Sequence, residues 1–288
     1  MGRPAPSTPA RPGPPRPGPL SSNDMGTEVL ADFDRRQFED GGKTRHVYRK
    51  GTGPAVIVIE EMPGITPGVA DFARRVADLG CSVAIPDLFG DPGRPASLPY
   101  ILSSMGRACV SREFHVLATG RASPIMEWLK ALARSLHEEC GGPGVGVVGM
   151  CFTGGFALAM MADAPVLAPV LSQPSLPLAL GARRSADLGL SDSDLEKVRV
   201  KCVGGDLTVL GLRFTGDRAV PPARFDHLRR VLGDRFVAVE IDSSPGNPFG
   251  HPKAAHSVLT EHLVDEPGTP TRAALDAVLD LFRTRLLA

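Results

Sequence analysis

Between Val147 and Gly155 the chain reads Val-Val-Gly-Met-Cys-Phe-Thr-Gly-Gly, and an Ala/Met-rich stretch of helical spacing follows at once. A β-branched apolar run handed to a helix in so few residues leaves room only for a sharp strand-to-helix turn. Gly149 lets the chain bend, Gly154 and Gly155 are expected to let the helix lie close to the sheet, and Cys151 is left at the apex beside the helix N-terminus. The free N–H groups there favour a thiolate over a thiol, so the segment is suited to mounting a nucleophile. The plainer alternative is a small cysteine filling the core, and the motif alone does not choose between them.

The surrounding pattern repeats the same unit. Ala55-Val-Ile-Val-Ile59 is apolar on both faces, as a central parallel strand must be, and Glu60-Glu61-Met62-Pro63-Gly64 follows as a loop. Apolar residues then recur at helical spacing from Val69 to Leu79 and stop at Gly80. Ser82 to Ile85 reads as the second strand, and later candidates are Gly146 to Val148, Val166 to Leu171, Thr208 to Phe214 and Phe236 to Ile241. Strands alternating with helices predict an α/β fold, a mostly parallel sheet with helices on both faces. An insertion from Asp91 to Arg121 has no readable periodicity and is expected to shape the pocket.

Composition narrows the class of ligand. The 288 residues are 42% hydrophobic, enough for one sizeable core, and residues 25–288 are expected to form a single domain. Thirty-two basic residues offset thirty-two acidic ones, so nothing in the charge points to nucleic acid or an anionic membrane, and a small molecule is the expected partner. Five cysteines without Cys-x-x-Cys spacing fit neither a disulfide framework nor a zinc site, which suggests a reducing cytoplasm. Residues 1–24, rich in proline and arginine, cannot build a packed core; they read as a solvated extension ahead of a start at Met25, or else as a polyproline ligand. No segment has the apolar length to cross a bilayer, and the oligomeric expectation is a monomer or small homo-oligomer.

Loops at the carboxyl ends of the strands are where partners for Cys151 should lie. Phe214-Thr-Gly-Asp217 places an acid in a turn after one strand, and the long loop after the last strand carries His256. Nucleophile, then acid, then base is the chain order of α/β-hydrolases. Rivals remain: Asp242 for the acid, and His251, on the same loop as His256, for the base. His137, His227 and His262 fall in polar helical patterns and are expected at the surface, and Cys81, Cys109, Cys140 and Cys202 lack a glycine elbow and are expected to be inert.

Taken together, Val-Ile-Val-Ile-Glu-Glu61-Met-Pro-Gly-Ile, Asp-Leu-Gly-Cys-Ser-Val-Ala-Ile-Pro-Asp87-Leu-Phe-Gly, the cysteine elbow, Gly-Asp217-Arg-Ala-Val-Pro and His256-Ser257 resemble the dienelactone hydrolase family, over roughly residues 40 to 285. The resemblance implies Cys151 as nucleophile, Asp217 as the acid that orients the base, His256 as the base, and Glu61 as a glutamate lying near the resting thiol and helping it ionise. Adjacent Glu60 competes with Glu61 for that place, since one of two neighbours leaving a strand must face away. By position the backbone N–H groups of Met62 and Phe152 are the oxyanion donors.

The elbow departs from the family pattern in having Thr153 where a glycine stands, and the arginine that follows the base in archetypal members is replaced by Ser-Val-Leu-Thr-Glu. Arg112 or Arg218 is a candidate substitute as substrate anchor, His115 a candidate lid residue, and each is otherwise an ordinary surface side chain. The implied activity is hydrolysis of a lactone or small carboxylic ester through a covalent acyl-cysteine, without metal or organic cofactor. Two alternatives keep Cys151 but drop the hydrolysis: a non-catalytic binding protein of the same fold, and a thiol redox sensor.

Overall fold

The computed structural model describes residues 28–110, 123–176, 178 and 181–288. Its strands join one eight-stranded sheet in the order β1-β2-β4-β3-β5-β6-β7-β8. The strands are β1 (Asp34–Asp40), β2 (Lys43–Lys50), β3 (Ala55–Ile59), β4 (Ser82–Pro86), β5 (Val145–Met150), β6 (Val166–Ser172), β7 (Val209–Phe214) and β8 (Phe236–Ile241). From β4 across to β8 every pairing is parallel, whereas β2 lies antiparallel to both β1 and β4.

Side-chain alternation divides the core into two layers. Val56 and Val58 of β3 and Val148 of β5 point to one face with Val69, Phe72, Val76 and Phe282, all buried. Ile57, Ile59 and Val147 point to the other, against Trp128, Leu129, Met160 and Phe225. The first layer is covered by α1 (Pro67–Asp78) and α8 (Pro270–Leu286), the second by α3 (Pro124–Cys140), α4 (Phe156–Met161), α6 (Asp192–Gly204) and α7 (Pro222–Leu232). Two further helices are α2 (Leu98–Val110), inside the expected insertion, and α5 (Gly181–Ser185). Each large apolar side chain buried in these layers contributes about 1.5–3 kcal/mol.

Local signals explain the boundaries. Helix α1 begins two residues before Val69 because the Thr66 hydroxyl accepts the Val69 N–H and Pro67 sits in the first turn. The six strands read from the sequence are all present, so the strand expected to be first is β3. The β1–β2 hairpin was not anticipated. Strand β1 is mostly exposed, and both strands are rich in charged residues, so they lack the apolar run that marked the others, and only the turn at Gly41-Gly42, with φ of 56° and 73°, carries a hairpin signal. Charges along β1 suit an edge strand, where they discourage pairing with another chain.

Residues 1–24, expected to be an extension, lie outside the described residues. Among the described residues no helix is long and apolar enough to cross a membrane.

Candidate active site

Strand β5 ends at Met150, and Cys151–Thr153 make a single tight turn before α4. Cys151 holds φ at 53°, a left-handed conformation that a side chain enters only when its surroundings enforce it. Gly149 and Gly154 make room for it: a Cβ on the first would collide with the Thr153 carbonyl, and one on the second with the backbone of Pro174. Gly155, expected to be equally crowded, has only ordinary van der Waals neighbours at 3.6 Å and beyond.

Thr153, the departure from the family pattern, braces this turn. Its buried hydroxyl accepts the Met150 N–H at 3.0 Å and lies 3.1 Å from the Ile59 carbonyl and 3.0 Å from that of Glu60. One side chain thus ties the elbow to the end of the neighbouring strand β3.

Asp217 and His256 arrive from the loops after β7 and β8. The carboxylate of Asp217 is 7% exposed; Oδ2 lies 2.6 Å from His256 Nδ1, and Oδ1 accepts the Ala219 N–H at 2.9 Å. Burial by itself would push the imidazole down, but hydrogen bonds to Asp217 and then to Cys151, with the negative charge of both, raise it to about 11.

The two adjacent glutamates are both buried and point different ways. Glu61 accepts hydrogen bonds from Ser257 Oγ at 2.7 Å, from Gln173 Nε2 at 3.1 Å and from Thr260 Oγ1. Gln173 continues the brace, its Oε1 accepting the Val258 N–H at 3.2 Å and the Ser172 hydroxyl. The carboxylate expected beside the thiol is thus engaged with the histidine loop, and Thr260 is among the residues that hold it. Burial raises Glu61, while Thr260, Ser257 and the charge of His256 draw it back down. Glu60 turns toward the loop after β4, where Oε1 accepts the Leu88 and Phe89 N–H groups at 2.8 and 2.6 Å. Its Oε2 finds no partner among the described residues; burial, and then the charge of Asp87, hold this carboxyl well above its ordinary range. Phe89 in turn packs edge-on against Phe152, with ring centroids 5.6 Å apart.

Two residues that the sequence did not single out border the site. Ser175 Oγ lies 3.6 Å from Cys151 Sγ. His262, expected on a surface helix, instead sits half-buried in a turn, where Nδ1 accepts the N–H groups of His256 and Ser257 at 3.4 and 3.3 Å and the ring meets Phe214 edge-on. Neither lies in a motif; only the three-dimensional convergence of loops reveals them.

The rivals are placed elsewhere. His251 is buried against Phe214, with Nε2 unpartnered among the described residues and burial pushing its titration down. Asp242 is exposed and accepts the Ser244 N–H at 2.8 Å. Cys81 and Cys202 are buried, which pushes both thiols up to about 11. Cys140 is half-buried, with its sulfur 3.4 Å from Arg49 Nη2. His137 and His227 do lie on helices, half-buried.

Ile59 of β3 pairs with Gly149 of β5, so Met62 and Phe152 leave neighbouring strand ends at equal offset from that pair. Arg218, beside the acid, is exposed, whereas Arg112 and His115 lie outside the described residues. Among the described residues no group of three or more His, Cys, Asp or Glu side chains is arranged to hold a metal ion.

The sequence profile of the dienelactone hydrolase family matches residues 43–285. A protein of Saccharomyces cerevisiae named as a carboxymethylenebutenolidase is 25% identical over 197 residues, spanning 67% of this chain and 69% of the yeast protein. Among solved structures, one described as a dienelactone hydrolase from Klebsiella pneumoniae superposes with a TM-score of 0.57 at 20% identity, covering 87% of this chain and 97% of its own. A dienelactone hydrolase-like promiscuous phosphotriesterase from metagenomic libraries gives a TM-score of 0.56 at 19% identity, covering 88% and 98%.

Proposed function

From the premise that this chain belongs to the dienelactone hydrolase family, we propose that it hydrolyses a lactone or small carboxylic ester through an acyl-cysteine intermediate. The observation that carries this reading is the contact of Asp217 Oδ2 with His256 Nδ1 at 2.6 Å, on a ring whose titration Cys151 also raises. In this mechanism the Cys151 thiolate attacks the carbonyl carbon, and the oxygen that becomes negative is received by the backbone N–H groups of Met62 and Phe152. The His256 imidazolium gives its proton to the departing alkoxide. The neutral ring then takes a proton from water, the resulting hydroxide attacks the thioester, and the thiolate leaves. Asp217 fixes the ring tautomer throughout and stabilises its charged form.

Glu61 enters as a positioning residue, holding the His256 loop through Ser257 and Thr260. Without an arginine at that place in the loop, the site is assigned a neutral or weakly polar substrate, with Arg112, Arg218 and His115 as candidate contacts for one that is charged. The yeast relative's name favours a lactone among the esters. Hydrolysis of p-nitrophenyl acetate and of a dienelactone, compared in wild type, Cys151→Ala and His256→Ala, tests the reading. Turnover lost in both variants supports it, and turnover that survives Cys151→Ala overturns it.

A further inference from the structure

The loop that follows β6 lies tightly against the nucleophile turn. Gln173 donates its N–H to the Leu212 carbonyl at 2.8 Å. Pro174 fills the space left by the missing side chain of Gly154, and its carbonyl accepts Arg224 Nη1 at 2.6 Å. Arg224 is itself buried and spans the segment beyond, donating to the carbonyls of Asp187 at 3.0 Å and Arg184 at 3.2 Å. Ser175 closes the arrangement: its N–H donates to the Cys151 carbonyl at 2.9 Å, while its hydroxyl, on a residue 8% exposed, lies 3.6 Å from Sγ. Its backbone is therefore fixed to the residue whose sulfur its side chain meets.

We propose that Ser175 is a further catalytic residue, whose hydroxyl donates a hydrogen bond to the Cys151 thiolate. This rests on the thiolate mechanism above. With its proton on His256 the sulfur can only accept, so the serine must be the donor. A thioester sulfur accepts far more weakly, and the bond therefore favours free thiolate over acyl-enzyme. It stabilises the thiolate as leaving group when the tetrahedral intermediate of deacylation collapses, and it raises the thiolate fraction of the resting enzyme.

The test is the pH dependence of iodoacetamide alkylation, read at the Cys151 peptide by mass spectrometry in the full-length wild type, Ser175→Ala and Ser175→Thr. The titratable groups about the sulfur are His256, Asp217 behind it, and Glu61, whose charge reaches the His256 ring. None is altered by these substitutions, and alanine keeps the backbone bond to Cys151. Ser175→Ala should move the alkylation midpoint up by about one pH unit, the size expected of one hydrogen bond to a charged acceptor, and should let acetyl-enzyme accumulate. Ser175→Thr, which keeps the hydroxyl, should restore both. A midpoint unmoved by Ser175→Ala, against a wild type whose Cys151 alkylates well below an ordinary thiol, overturns the role of Ser175 alone. A wild type that alkylates like an ordinary thiol and shows no hydrolysis overturns the thiolate mechanism and the serine's role with it.

Discussion

The two sides of Cys151 are built differently. On the histidine side, Glu61, Gln173, Ser257, Thr260 and His262 form a continuous set of buried or half-buried polar contacts that fixes residues 256–260 to the ends of β3 and β6. On the side of the loop after β4, a single oxygen of Glu60 receives two N–H groups, and the contact with the nucleophile turn is the apolar one between Phe89 and Phe152. Beyond it, α2 presents Leu98 and Leu102 at 69% and 62% exposure. Polar bonds that are costly to break thus concentrate around the candidate base.

Substitutions on each side should separate accordingly. Asp217→Ala should have the largest effect, lowering kcat on the order of 10⁴-fold, because the ring loses both tautomer and orientation. Glu61→Ala should follow, with kcat falling roughly 10²-fold and KM little changed as the histidine loop shifts. Equal losses in kcat from Glu61→Ala and Glu60→Ala would erase the distinction between the sides. Thr153→Val, which strips the buried Met150 N–H of its acceptor, should cost about 1–3 kcal/mol in chemical denaturation.

Glu60→Gln should act in the opposite direction. Glu60 keeps its proton to higher pH in the folded chain than in the unfolded one, so its contribution to stability is full in acid and is lost as pH rises through the folded value. A neutral amide still accepts the Leu88 and Phe89 N–H groups. The variant should therefore melt above wild type at pH 8, by about 1 kcal/mol or roughly 2–4 °C, with the gain vanishing toward pH 4. Leu102→Ser should change stability by less than about 0.5 kcal/mol, while any effect on KM reports whether α2 meets the substrate.

Much of this was legible in the sequence. Apolar runs such as Ala55–Ile59 announce parallel strands because both faces are buried, and the glycines around Cys151 announce a turn that only a crowded backbone needs. The nucleophile, acid and base candidates follow β5, β7 and β8, and the structure brings Asp217 onto His256, a ring whose titration Cys151 also affects. The hairpin β1–β2 has no such signature, because its charge-rich strands lack a continuous apolar run. Thr153 reads in the sequence only as a departure from the family pattern, because its hydroxyl partners come from the end of β3, some ninety residues earlier in the chain. Ser175 and His262 carried no signal, since each acts through loops that meet only in the folded protein.

In the proposed mechanism Cys151 carries the acyl group. Intact-protein mass spectrometry and peptide mapping within seconds of mixing with p-nitrophenyl acetate test it most directly. One acetyl group on the Cys151 peptide, forming and decaying at rates that account for steady-state turnover, is the predicted result. Turnover that persists in Cys151→Ala, or an adduct on another residue that turns over at the same rate, would contradict the claim.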